Sequence, residues 1–194
     1  MRHDSFKTDK FVNFPNFVAI SIFIPFFPSV EAKIGLFTDV AGGYFLSRMK
    51  KNLGLYLGLT GQRITGKELV QVGLADYYVK NENLAALEKA LLENGSSVNG
   101  LKDAQKIVEQ FQEPVEEKYP LGSYVNKHFG KNSVQEILDS IQADKDNAEL
   151  SEVLIKNMKT FSPISMRVIF EQIKRGKDLD LAENFKMDYR IAVR

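Results

Sequence analysis

Two acids carry the chemistry this sequence could perform. Glu31 and Asp39 stand eight residues apart in Glu31-Ala32-Lys33-Ile34-Gly35-Leu36-Phe37-Thr38-Asp39-Val40-Ala41-Gly42-Gly43-Tyr44. The stretch between them is largely apolar. Such neighbours draw a carboxyl out of water, raise its pKa and fit it for proton transfer. The glycine pair that follows lets backbone come close to a ligand or to another element. The same residues also suit a solvated loop followed by a helix cap, so residue type alone leaves two readings.

Composition narrows the other chemistries. The chain has 194 residues and no cysteine, which removes a disulfide framework, a thiolate nucleophile and thiolate metal ligands. Its two histidines are His3, in a polar tail, and His128, in Lys127-His128-Phe129-Gly130. His128 reads as a solvated residue near a helix end. Any reaction must then rest on carboxylates or backbone groups. Lys and Arg number 26 against 25 Asp and Glu, a net charge of +1. That balance gives no electrostatic case for a nucleic-acid or membrane-surface partner.

The acids need elements to position them. Gly42 and Gly43 open an apolar run at helical spacing over residues 44–59, with Gly61 as its stop. Thr65 and Glu68 have capping-box spacing ahead of a short helix ended by Gly73, and residues 74–79 read as a strand. Helices are then predicted over 83–93 (stopped by Gly95), 101–112, 133–142 and 148–160. Another starts at Ser162-Pro163 and ends at Gly176, and a last one begins near Asp180 and still runs at Arg194. Residues 114–119 form the best candidate for a surface connection.

Residues 1–30 differ in character. Residues 11–30 carry no charge and many aromatic or β-branched side chains. A membrane helix needs about 20 apolar residues, but Pro15, Pro25 and Pro28 interrupt this one. No small-residue cleavage site marks a secretory signal, and no clear transit peptide is visible. The segment reads as a leader foreign to the domain behind it and not folded with it.

From Glu31 to Leu46 the chain resembles the glutamate- and aspartate-bearing segment of the 3-hydroxyisobutyryl-CoA hydrolases, in the crotonase superfamily. The resemblance continues through residues 54–61, 64–67 and 72–79. It returns at Phe161-Ser162-Pro163-Ile164-Ser165-Met166 and Met187-Asp188-Tyr189-Arg190. It implies an α/β class: residues 31–80 as the end of the ββα spiral core, and 81–194 as a mainly helical carboxyl-terminal region. It further implies hydrolysis of the 3-hydroxyisobutyryl-CoA thioester in mitochondrial valine breakdown. Glu31 matches the family's active-site glutamate and Asp39 the aspartate that faces the substrate. The partner implied is an acyl-CoA, with CoA as part of the substrate and no separate cofactor or metal; a homo-oligomer is compatible. Arg48, Lys50 and Lys51 either meet a CoA phosphate or form a solvated helix face. Thr38 stands where proline is usual and Ala41 where glycine is usual, which matters if position 41 needs a positive φ.

In the family both oxyanion-hole peptides and most CoA contacts lie upstream of the glutamate. The residues before Glu31 here do not match them, with Ser29-Val30 in place of Met-Pro. The chain is therefore expected to be a fragment. Two other functions stay open: an enoyl-CoA hydratase or isomerase of the same superfamily, and a catalytically silent helical fragment.

Overall fold

A helix buried on every side, Leu53–Thr60, stands at the centre of the fold. The computed structural model describes residues 20–21, 31–94, 101–116 and 118–193. Among these, the elements in chain order are β1 (Ile20–Ser21), α1 (Gly42–Ser47), α2 (Leu53–Thr60), α3 (Lys67–Gln71), β2 (Tyr77–Tyr78), α4 (Leu84–Glu93) and α5 (Leu101–Glu109). There follow α6 (Gly122–Phe129), α7 (Val134–Gln142), α8 (Ala148–Met158), α9 (Pro163–Gly176) and α10 (Leu181–Ala192), and 3₁₀ turns lie at Glu31–Ile34, Lys50–Asn52 and Asn81–Asn83. No helix among the described residues is long and apolar enough to cross a membrane. The predicted stop at Gly95 and residues 1–19 and 22–30 fall outside the described residues, while the last helix, expected still to run at Arg194, ends at Ala192 with Val193 as its cap.

The run expected as one amphipathic helix over 44–59 is two helices. Lys51 and Asn52 take left-handed φ values of 53° and 62°, which end one helix and restart another at a new angle. At the crossing, a methyl on Gly54 would lie 1.8 Å from the Leu46 carbonyl oxygen. Only glycine lets the two backbones approach that closely. α2 is apolar all round because α1, α6, α8 and α9 surround it. Leu57, Leu59, Phe129, Leu154 and Ile169 fill the main core, and Val79, Leu87 and Val108 form a smaller one beneath α4 and α5.

Local signals place the other helices well. Ser133 accepts from the Glu136 N–H (3.1 Å), Ser162 from the Ser165 N–H (3.3 Å) and Asp180 from the Glu183 N–H (2.8 Å), so α7, α9 and α10 start as expected. α3 ends in a Schellman motif: Gly73 at φ 81°, its N–H on the Val70 carbonyl, and the Leu74 N–H on that of Leu69. The strand expected over 74–79 shrinks to Tyr77–Tyr78, and its parallel partner is Ile20–Ser21, which corrects the expectation that none of residues 1–30 folds with the domain behind them. Val79 instead bridges Gln112 in antiparallel fashion. Tyr119 is buried in the main core, so residues 114–119 are anchored at one end rather than simply a surface connection.

His128 corrects an expectation. It lies on α6, a helix the sequence reading missed, and it is wholly buried rather than solvated. One ring nitrogen meets Ser140 Oγ at 2.9 Å, the other Asp144 Oδ2 at 2.8 Å, and the ring leans on Tyr124. α6 escapes detection because no side chain caps its start.

Candidate active site

Glu31 opens the 3₁₀ turn Glu31–Ile34 and is half-buried. Its backbone carbonyl accepts the Leu36 N–H (2.8 Å), and the next carbonyl, of buried Ala32, accepts the Ser162 N–H (3.0 Å). The turn is thereby fixed to the start of α9. The Glu31 side-chain Oε2 is buried and meets no hydrogen-bond partner among the described residues. A buried polar oxygen ordinarily finds a partner.

Asp39 stands at the first corner of a tight turn. The Gly42 N–H donates to the Asp39 carbonyl (2.8 Å), and the two central residues, Val40 and Ala41, have φ values of 50° and 60°. That is the arrangement of a type I′ turn, in which glycine, asparagine and aspartate are the usual central residues. The positive φ at Ala41 meets the condition under which its departure from glycine was expected to matter. Gly42 and Gly43 then lead into α1 under close cover. A methyl on Gly42 would meet Thr38 Cγ2 at 2.4 Å, and one on Gly43 would meet Gln172 Cγ at 2.9 Å.

The turn is held from the far end of the chain. Asp188 on α10 accepts the Ala41 N–H with Oδ2 (3.0 Å) and Gln172 Nε2 of α9 with Oδ1 (2.7 Å). The same Nε2 also donates to the Thr38 carbonyl (2.6 Å). All of these groups except the Asp39 side chain are buried. Burial raises the Asp188 carboxyl above its ordinary pKa and the charge on Asp39 adds to that, while the bonds from Ala41 and Gln172 work the other way. Thr38 Oγ1 and Gln172 Oε1 are buried without a partner among the described residues.

Asp39 and Asp188 share an open groove of about 630 Å³ whose walls are mainly apolar, among them Leu36, Phe37, Val40, Ile164 and Phe185. Asp39 is exposed on its wall. Glu31 is not among the lining residues. Of the two acids singled out from sequence, Asp39 faces this groove and half-buried Glu31 does not line it, so the groove does not bring the two together.

Sequence reasoning missed Gln172 and Asp188. A signal existed: Gln172 falls between Ile169, Phe170 and Ile173 on the buried face of α9, and Asn184 and Asp188 are the buried residues of α10. A polar residue on an inward helical face must find a partner. Arg48 is half-buried against the protein rather than part of a solvated face. Its guanidinium stacks 3.6 Å over the Tyr44 ring and donates to the carbonyls of Tyr44, Gly176 and Leu179. Lys50 and Lys51 are exposed. Among the described residues no group of three or more His, Asp or Glu is placed to hold a metal ion.

Comparisons with known proteins place this site in context. The family profile described as enoyl-CoA hydratase/isomerase matches residues 26–194. The chain is 36% identical over 169 residues to the mitochondrial 3-hydroxyisobutyryl-CoA hydrolase of Dictyostelium discoideum, and 33% identical over 173 residues to that of Homo sapiens. Each comparison covers 86% of this chain and 44% of the relative. The chain thus spans less than half the length of these relatives. Among solved structures, a carnitinyl-CoA dehydratase from Mycobacterium thermoresistibile superposes with a TM-score of 0.78 at 24% identity, over 90% of this chain and 49% of that one. The fold is the expected one, part of an α/β crotonase core followed by helices.

Proposed function

The chain belongs to the enoyl-CoA hydratase/isomerase family, and we propose that it forms the acid-bearing, carboxyl-side part of a mitochondrial hydrolase of 3-hydroxyisobutyryl-CoA. Relatives named for that reaction, at 33–36% identity, support the substrate and the compartment. The observation that carries the chemistry is the acid-bearing loop. Asp39 stands on the wall of an apolar groove, and Glu31 keeps a buried oxygen that meets no partner among the described residues.

In this reading Glu31 takes a proton from water, and the water oxygen attacks the thioester carbonyl carbon. The tetrahedral intermediate then collapses, the carbon–sulfur bond breaks, and the CoA thiolate leaves and takes up the proton that Glu31 had accepted, which restores the carboxylate. Asp39 orients the water or binds the substrate hydroxyl. Backbone donors for the oxyanion come, as the resemblance implies, from the part of the relatives that this chain does not span. CoA enters as part of the substrate.

The test joins the upstream half of the Dictyostelium relative to residues 31–194 and follows CoA release with a thiol reagent. Glu31→Gln should lower kcat on the order of 10²-fold or more. Asp39→Asn should also impair turnover and raise KM if it binds the hydroxyl. Undiminished turnover in the Glu31→Gln enzyme would remove Glu31 from the mechanism.

A further inference from the structure

We propose that Asp188 and Gln172 are positioning residues. They hold residues 39–42 in a mirror-image turn that Val40 and Ala41 disfavour, and thereby set where the Asp39 carboxylate stands. The proposal rests on the catalytic reading of Asp39 only for its kinetic consequence; the hold on the turn stands by itself.

Left-handed backbone is costly for residues that carry a Cβ, and most so for a β-branched one. Two such residues in succession persist only where the surroundings over-determine them. Here the surroundings are two side chains. The Asp188 carboxylate takes the N–H of Ala41, the second left-handed residue, and Gln172 donates to the carbonyl of Thr38, just before the turn. Gln172 also donates to Asp188, so the two act as one clamp bracketing Asp39. The turn's own bond, Gly42 N–H to Asp39 carbonyl, closes the loop between them. Both oxygens of Asp188 are engaged, so although it lines the groove it acts through the turn and not on the substrate. Gly43 completes the fit, since a methyl there would strike the Gln172 side chain.

The first arm of the test reads the turn alone, in the 194-residue chain, by amide hydrogen exchange. Asp188→Asn should speed exchange at position 41 roughly 10-fold or more, as for a lost buried bond to a charged group, and should also speed it at position 42, whose N–H closes the turn, while the amides of α2 and α8 keep their protection. Adding Val40→Gly and Ala41→Gly to Asp188→Asn should restore most of the protection at position 42, because glycine adopts the turn without help. Uniform loss of protection, or no restoration by the glycines, overturns the proposal. If Asp188→Asn does not fold, recovery of folding by the two glycines supports it, and failure to recover overturns it.

The second arm uses the joined enzyme. Asp188→Asn should cost roughly 10-fold in kcat/KM when Asp39 is present and less than about 2-fold in an Asp39→Asn background, since residues acting as a unit are not additive. Equal losses in both backgrounds mean that Asp188 merely supports the fold, and overturn the proposal. A positive first arm with no kinetic effect of Asp39→Asn leaves the clamp standing and places the failure in the catalytic reading.

Discussion

At Val40 the chain holds a β-branched side chain in left-handed backbone, with 77% of its surface exposed. Little packing is lost if that side chain is removed. Val40→Gly should therefore stabilise the protein by about 1 kcal/mol, read as a rise in melting temperature. No rise would mean that the turn is not strained. At this scale the sequence was most legible where a residue type has one chemical use. The two acids and the possible demand at Ala41 were visible because carboxylates and backbone freedom are local properties. Asp188 and Gln172 were not, because their partners lie 147 and 134 residues away. His128 misled for the same reason. Nothing in Lys127-His128-Phe129-Gly130 reveals its hydrogen-bond partners, which are Ser140 and Asp144.

The elements divide along a similar line. Starts of α7, α9 and α10 were legible in Ser133, Ser162 and Asp180, since a cap is a bond between residues three apart. The break between α1 and α2 was not, because it is imposed by the crossing at Gly54. Gly54→Ala would drive a methyl into the Leu46 carbonyl, and the backbone on both sides leaves it nowhere to go. A loss of about 3 kcal/mol or more is expected, seen in chemical denaturation. A second joint lies where α6 meets the α7–α8 connection. Bonds from Asn147, then Lys127 and His128, hold the Asp144 carboxyl well below its ordinary pKa despite opposing burial. A carboxylate held low in the folded state stabilises it above the unfolded pKa, about 4, and loses that contribution as pH falls towards the folded value. Asp144→Asn should therefore lower the melting temperature at pH 7. The gap from the parent should narrow below about pH 4, and a gap that stays constant down to pH 2.5 would mean that the carboxylate charge is not what binds the joint.

Over the whole molecule, the apolar groove continues onto exposed Leu36, Val40, Ile164, Phe185 and Tyr189. A contiguous apolar face of this kind favours association. Ile164→Ser with Phe185→Ser should reduce light scattering on concentration and leave the melting temperature within about 1 °C, since both are surface positions. The 194-residue chain by itself should release CoA from 3-hydroxyisobutyryl-CoA no faster than buffer, since it spans 44% of the length of its hydrolase relatives and each oxyanion donor is typically worth about 10²–10³ in rate. Enzyme-like turnover would overturn that expectation. The clamp on the acid turn also imposes a schedule on biosynthesis. Ala41 leaves the ribosome 147 residues ahead of Asp188, roughly 7 to 30 s earlier at ordinary elongation rates. α9, which packs on both α1 and α2 and carries Gln172, also emerges late, so for most of that interval the turn at Asp39 has neither side chain of its clamp. The setting of the acid would then be among the last events in maturation.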